Sequence, residues 1–177
     1  MALALLGIGN VLACDDGVGV YACHYVRAHY SFSPQIHIVD GGVEGMALLD
    51  YFATYAHVVL LDAIAIEDEA GAMYIIPAQE LAGYGLNSGG AHEVGAIQCM
   101  DMLELLGKPL PQAHVIGIVP HDTSYAIALS IPLREAFGRY IETIVERLSQ
   151  WGITATPKES SVTLEEIIEG FRVPKSN

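Results

Sequence analysis

The chain has 177 residues, 52% of them hydrophobic, and it carries 21 acidic against 8 basic side chains, for a formal net charge of −13. So acidic a chain is a poor match for nucleic acid and for an anionic membrane surface, because both attract Lys and Arg to their phosphates. The apolar content excludes a disordered chain and predicts a buried core of substantial size.

Strand and helix patterns alternate from one end of the chain to the other. In order, they predict a strand at 2–8, a helix at 17–29, a strand at 36–39, a helix at 44–55, strands at 57–61 and 73–76, a helix at 92–106, a strand at 115–119, a long helix opened by Ser130 and Pro132, and a short strand at 153–156. A capping-box pattern, Thr163-Leu-Glu-Glu166, then predicts a short terminal helix before a frayed tail. Residues 1–177 are therefore predicted to form a single domain, with the C-terminal helix and tail following from about residue 157.

Continuous apolar strands that alternate with helices are typical of the α/β class. They predict a twisted, largely parallel sheet with helices on both faces, which is a three-layer α/β/α sandwich. Ligands of such sheets bind outside the carboxyl ends of the strands, near the point where the strand order reverses. The residues that follow each strand are therefore the candidates for function.

The cysteines and the N-terminal segment bear on the compartment. Three cysteines with no CxxC spacing argue against a disulfide framework and a structural zinc site: Cys14, Cys23 and Cys99. No apolar run reaches the roughly 20 residues of a membrane span, and the first basic residue is Arg27, which is unlike a secretory signal. We expect a cytoplasmic protein, with a monomer as the default state.

Acidic residues, histidines and glycines recur after the predicted strands. In order, they are Gly7-Ile-Gly-Asn10 with Asp15 and Asp16, Asp40-Gly-Gly42, Asp62, Gly89-Gly-Ala-His92, and Pro120-His-Asp122. Glycines beside polar side chains let the backbone approach a ligand closely. The pattern indicates a site at the carboxyl edge of the sheet, with His121 as a further residue that could line it.

The first of these segments does not match a nucleotide-binding loop. Gly7 and Gly9 are present, but Leu12 occupies the position of the third glycine in the dinucleotide fingerprint. Asp15 and Asp16 would also place negative charge where a pyrophosphate needs helix N–H groups. A phosphate-binding Walker loop is excluded because the chain has no Gly-Lys-Ser/Thr sequence.

A metal site fits the same positions better. Asp16, Asp62 and His92 would form a mixed oxygen and nitrogen site with open positions, which suits zinc, nickel, manganese or iron. The structural alternatives are that Asp15 or Asp16 caps the helix that begins near residue 17, and that His92 is a structural residue at a helix start. Cys14 is either a soft ligand or nucleophile, or a small buried hydrophobe.

The whole pattern resembles the maturation endopeptidases of nickel–iron hydrogenases. The segments that carry the resemblance are LLGIGNVLACDDGVGV, VDGGVEGMALLD, VVLLDAI, AHEVG and VIGIVP, in the family's order and spacing from residue 2 to about 148. The family's metal-binding side chains fall on Asp16, Asp62 and His92, and its DGG segment makes Asp40 a candidate catalytic residue. Two positions depart from the family pattern: Asp16 replaces a glutamate of some relatives, and Val43 replaces the threonine of DGGT.

The resemblance implies an endopeptidase that removes the C-terminal extension of a hydrogenase large-subunit precursor after nickel insertion. Nickel would arrive with the substrate, and zinc or cadmium could take its place in a crystal. Asp16 would serve both as metal ligand and in catalysis, and Asp40 would assist the attacking water. The alternatives are a non-proteolytic nickel escort of the same fold and a small-molecule hydrolase.

Overall fold

A computed structural model describes residues 2–84 and 91–174, without the side chains of residues 82, 84 and 91–94. The strands are β1 (Leu3–Ile8), β2 (Tyr30–Ser33), β3 (His37–Gly42), β4 (His57–Ala63), β5 (Met73–Pro77), β6 (Gln112–Ile118) and β7 (Thr154–Pro157). The helices are α1 (Val18–His29), α2 (Leu49–Thr54), α3 (Ala91–Leu105), α4 (Ile131–Gln150) and α5 (Leu164–Arg172). None of the helices within these described ranges is long and apolar enough to cross a membrane.

The main sheet has five strands in the order β3-β1-β4-β6-β5. The first four strands run parallel, and β5 pairs with β6 in the antiparallel direction. The chain passes from β1 outward to β3 and then returns to the other side of β1 to form β4. The strand order therefore reverses between β1 and β4, and the carboxyl ends of these two strands form the crevice where this class of sheet binds ligands.

The two faces of the sheet are buried under different helices. Successive residues of β1 and β4 alternate between two hydrophobic clusters because strand side chains point to opposite faces. One cluster joins Leu3, Leu5, Val59 and Leu61 to apolar side chains of α1, α4 and α5. The other joins Ala4, Leu6, Val58 and Leu60 to α2 and α3. This arrangement confirms the predicted three-layer α/β/α sandwich.

Several element boundaries differ from the sequence prediction. The predicted helix at 44–55 is a 3₁₀ turn (Gly45–Leu48) followed by the short helix α2. The strand β4 continues to Ala63, so that Asp62 lies within the strand and not after it. The ribbon of β2 with β7 was not predicted, because Tyr30–Ser33 is short and pairs with a distant segment. The predicted capping box of α5 is confirmed by reciprocal hydrogen bonds between Thr163 and Glu166.

The last residues of the predicted frayed tail, 175–177, lie outside the described residues.

The amino-terminal edge of the sheet holds a histidine pair, of which His57 is buried and His114 is half-buried. Nε2 of His57 lies 3.2 Å from Nδ1 of His114, and both rings contact Trp151, over which the guanidinium of Arg147 lies. Burial, and then the neighbouring His114, lowers the pKa of His57 from 6.5 to about 4. Burial and then Arg147 lower the pKa of His114 as well. Both histidines lie at the edge opposite the crevice, and His57 is part of the buried interior.

Helix α1 approaches the crevice so closely that a side chain cannot fit between helix and sheet. A Cβ atom at Gly19 would lie 1.9 Å from the carbonyl oxygen of Leu61 and 2.7 Å from that of Ile8. A Cβ at Gly7 would lie 2.6 Å from the carbonyl oxygen of Gly19. The glycines of this segment therefore allow close packing of the helix on β1 and β4.

We expect the Gly19→Ala variant to be destabilised by about 3 kcal/mol or more, because the new methyl group meets backbone atoms that cannot move independently. The matched control is Gly138→Ala in α4, where a Cβ has nothing within 4 Å. Alanine there should stabilise the helix by up to about 1 kcal/mol. Urea unfolding measures both changes, and equal stabilities of the two variants would contradict the packing argument.

The buried His57 predicts loss of stability in acid. Because the pKa of His57 is lower in the folded chain than its ordinary 6.5, folding favours the neutral ring. The stabilisation is complete above about pH 6.5 and is lost as the pH falls from there towards 4. Urea unfolding between pH 7.5 and 5 should show a shallower pH dependence for His57→Gln than for the wild type. The exposed His121→Gln variant should keep the wild-type slope, and an unchanged slope for His57→Gln would contradict the prediction.

Candidate active site

The structure places two of the predicted site residues at the crevice. Asp16 lies in a 3₁₀ turn (Cys14–Gly17) that follows β1, and Asp62 is the penultimate residue of β4. Because β1 and β4 are neighbours, the turn that carries Asp16 leaves the sheet beside the end of β4 that carries Asp62. The strand-order reversal between them is the reason that this edge is available to a ligand.

A sharp turn after β1 directs the chain towards Asp16. Gly9 has φ +135°, and a Cβ there would lie 1.9 Å from the carbonyl oxygen of Asp16. The backbone N–H of Asn10 donates to Oδ2 of Asp16 at 2.8 Å. The turn thus fixes the orientation of the Asp16 carboxylate.

Asp15 is fully buried and anchors the loop that follows β6. Its Oδ2 accepts hydrogen bonds from the N–H groups of His121 and Asp122, each at 2.9 Å, and from the Ser130 hydroxyl at 2.7 Å. Its Oδ1 accepts the N–H of Ser130 at 2.7 Å. Both oxygens are therefore used within the protein, and Asp15 does not cap α1. Asp15 is the structural member of the acidic pair.

Asp62 is buried in β4, and its charge is felt by a tyrosine of α4. The hydroxyl of the fully buried Tyr140 donates to the carbonyl oxygen of Ile116 at 2.6 Å, in the strand next to Asp62. Burial, and then the negative charge of Asp62, raises the pKa of Tyr140 well above 10. The phenol therefore stays neutral, and its hydrogen bond joins α4 to β6, the strand that pairs with β4 at Asp62.

Asp40 forms a hydrogen-bonded turn at the end of β3. Its Oδ1 accepts the N–H of Gly42 at 3.1 Å, and its Oδ2 accepts the Nε2–H of His24 at 2.8 Å. The carbonyl oxygen of Gly42 in turn accepts the N–H of Gly9 at 2.9 Å. The DGG segment is thus joined directly to the turn that carries Asp16.

The third predicted ligand lies partly outside the described residues. His92 is in the first turn of α3, and its side chain is not among those described. One turn later, a Cβ at Gly95 would lie 2.9 Å from the Cα of Gly45, which follows the DGG segment. Among the described residues, no three His, Cys, Asp or Glu side chains converge to hold a metal ion. The ligand trio therefore stays a prediction.

Two other candidates, Cys14 and His121, have structural roles. Cys14 is buried with φ +48°, and burial followed by the charges of Asp15 and Asp122 raises the pKa of its thiol. The thiol stays protonated, which favours the small-hydrophobe interpretation. The ring of His121 is exposed, and its contribution is the backbone N–H that it donates to Asp15.

His24 was not among the predicted site residues. It lies within a helix, 16 positions before Asp40, and no local motif links the two. The link between them appears only in the folded chain: His24 is on α1 one position after Cys23, which packs on Gly7, and Gly7 pairs with Asp40 across the sheet.

Removal of the buried Asp15 carboxylate should destabilise the fold. Asp15→Ala leaves three N–H groups and one hydroxyl without their acceptor, and we expect a loss of about 3 kcal/mol in the free energy of unfolding. The control is Asp122→Asn in the same loop, an exposed carboxylate that accepts the N–H of Ser124 and should cost less than about 1 kcal/mol. Equal losses in chemical denaturation would contradict the anchoring role.

Comparison with known proteins identifies relatives over nearly the whole chain. The family model "Hydrogenase maturation protease" matches residues 20–151. The chain is 27% identical over 161 residues to the Hydrogenase 2 maturation protease of Escherichia coli, with 90% of this chain and 98% of that protein covered. It is 27% identical over 169 residues to the hydrogenase expression/formation protein HupD of Rhizobium leguminosarum, with 94% and 84% covered.

A solved structure shares the fold. The hydrogenase maturating endopeptidase HybD from Escherichia coli superimposes with a TM-score of 0.81 at 26% identity, with 89% of this chain and 98% of that chain covered. The family match spans the turn that follows β3, the end of β4 and the start of α3. The chain therefore belongs to the hydrogenase maturation protease family and is an endopeptidase.

Proposed function

We propose that the enzyme removes a C-terminal extension from the large-subunit precursor of a nickel–iron hydrogenase once nickel has been inserted. The observation that carries the proposal is the pair of aspartates at the strand-order reversal, in a chain of the maturation protease family. The substrate is the precursor with its nickel ion, and the product is the shortened subunit.

The carboxylates suit a nickel ion that the substrate already holds. Asp16 is partly exposed at the crevice, whereas Asp62 is 2% exposed within β4. Two carboxylates and the imidazole of His92 offer oxygen and nitrogen donors, a set that binds borderline metals with positions left open. Such a site recognises nickel without removing it from stronger thiolate ligands of the precursor.

Asp40 is positioned to act on the peptide next to that ion. Its carboxylate is about one third exposed, at the end of the strand that neighbours β1. Each carboxylate oxygen has a second lone pair besides the one used by Gly42 or His24. Asp40 can therefore accept a proton from the water that attacks the scissile carbonyl.

The charge of the chain agrees with a precursor as partner. The formal charge of −13 disfavours nucleic acid and anionic membranes, and it favours a substrate that presents a metal cation or basic side chains. We propose that the enzyme acts as a cytoplasmic monomer.

The test is an incubation with nickel-loaded and nickel-free precursor, followed by mass spectrometry. A shortened product should form from the nickel-loaded precursor alone. Asp62→Asn keeps the shape of the buried side chain but removes its charge, and it should slow cleavage about 100-fold. Asp68→Asn, a carboxylate exposed on the surface, is the matched control and should cleave at the wild-type rate.

Two outcomes would contradict the proposal. Equal cleavage of both precursors would remove nickel from recognition. Nickel binding without any shortened product would instead support an escort protein.

A further inference from the structure

Outside the predicted site residues, a hydrogen-bonded histidine faces the DGG turn. Nε2 of His24 lies 2.8 Å from Oδ2 of Asp40, and the two side chains are 31% and 34% exposed. A carboxylate oxygen is an acceptor, so the ring N–H donates. We propose that His24 is a positioning residue, which holds the Asp40 carboxylate in the orientation needed for peptide cleavage.

Asp40 needs such a partner because of its neighbours in sequence. It is followed by Gly41 and Gly42, and Gly42 has φ +48°. The Gly42 N–H lies 3.1 Å from Oδ1 of Asp40 and fixes that oxygen. Oδ2 needs a second donor before rotation of the carboxylate group is fully restrained. His24 supplies that restraint from a separate element, and a charge-assisted hydrogen bond is stronger than a neutral one.

The imidazole is itself held by rigid surroundings. Helix α1 lies directly on β1, since a Cβ at Gly7 would lie 2.7 Å from the sulfur of Cys23. Across the sheet, Gly7 pairs with Asp40, so the helix residue after Cys23 reaches the end of β3. The His24 ring also packs on Phe171 of α5 in a T-shaped arrangement, with centroids 5.4 Å apart and planes at 83°.

One turn further along α1, a second contact with β3 provides a control. The guanidinium of Arg27 donates to the carbonyl oxygen of Ile38 at 2.8 Å and does not touch Asp40. Arg27→Met therefore removes a helix–strand hydrogen bond of similar length without changing the carboxylate. A general loosening of α1 against β3 would affect both variants alike.

The inference rests on the proposed function, and cleavage of nickel-loaded precursor is its first readout. We expect His24→Ala to lower kcat about tenfold with KM unchanged, as for loss of one hydrogen bond to a charged group. His24→Gln keeps an N–H donor and should stay within about threefold of the wild type. Arg27→Met should retain wild-type kcat.

A double-mutant cycle separates positioning from an independent role. If His24 acts through Asp40, then His24→Ala should have no further effect on kcat in the Asp40→Asn background. The inference would be overturned if the losses of kcat from His24→Ala and Asp40→Asn multiplied in the double variant. It would also be overturned if His24→Ala were as active as Arg27→Met.

The second readout does not depend on cleavage. The amide resonance of Gly42 reports the hydrogen bond to Asp40, and it should shift in His24→Ala but stay near its wild-type position in His24→Gln. An unchanged Gly42 resonance in His24→Ala would overturn the inference even if the wild-type enzyme left every precursor intact. That lack of cleavage would by itself overturn the proposed function alone.

Discussion

The candidate active site depends on the buried carboxylate of Asp15. An ionised carboxylate removed from water is costly unless hydrogen bonds replace its solvation, and here four donors from the loop after β6 do so. These bonds join the turn after β1 to the segment that leads into α4. The backbone adds further bonds between the same two segments, from Cys14 to the carbonyl of Ala126 and from Ala126 to that of Leu12. The position of Asp16, the next residue, follows from this anchoring.

Surroundings, and not residue type, give the four aspartates at this edge different roles. Asp15 is saturated by internal donors and is therefore inert. Asp62 is equally buried, but it lies at the end of β4 beside the strand-order reversal, and its charge raises the pKa of Tyr140. Asp16 and Asp40 keep partial exposure, and each carboxylate is oriented by a backbone N–H.

The sequence predicts the three layers of the sandwich well, because the pattern of apolar residues along each element indicates which of its faces are buried. The continuous apolar runs of β1 and β4 indicate strands covered on both faces, and both strands are buried throughout. Elements that depend on distant partners escape such reasoning: the ribbon of β2 with β7 joins segments more than 120 residues apart. The positions of Asp16 and Asp62 near strand ends can be predicted, because they follow from the local apolar runs. The pairing of His24 with Asp40 cannot, because it requires the packing of a helix on a sheet.

The C-terminal helix α5 contacts the segments that support the candidate site, and it lies beyond the matched family region, which ends at residue 151. Phe171 packs on both Tyr21 and His24 of α1, and Arg172 donates to the carbonyl oxygen of Ile127, in the loop that receives Asp15. One short helix therefore contacts two supports of the site: His24, which is hydrogen-bonded to Asp40, and the loop that holds Asp15, the neighbour of Asp16. Phe171 and Arg172 contact these supports and not the carboxylates themselves, so α5 stabilises the site without supplying a donor to it. The precision of the site then depends on a segment that contributes no ligand to it.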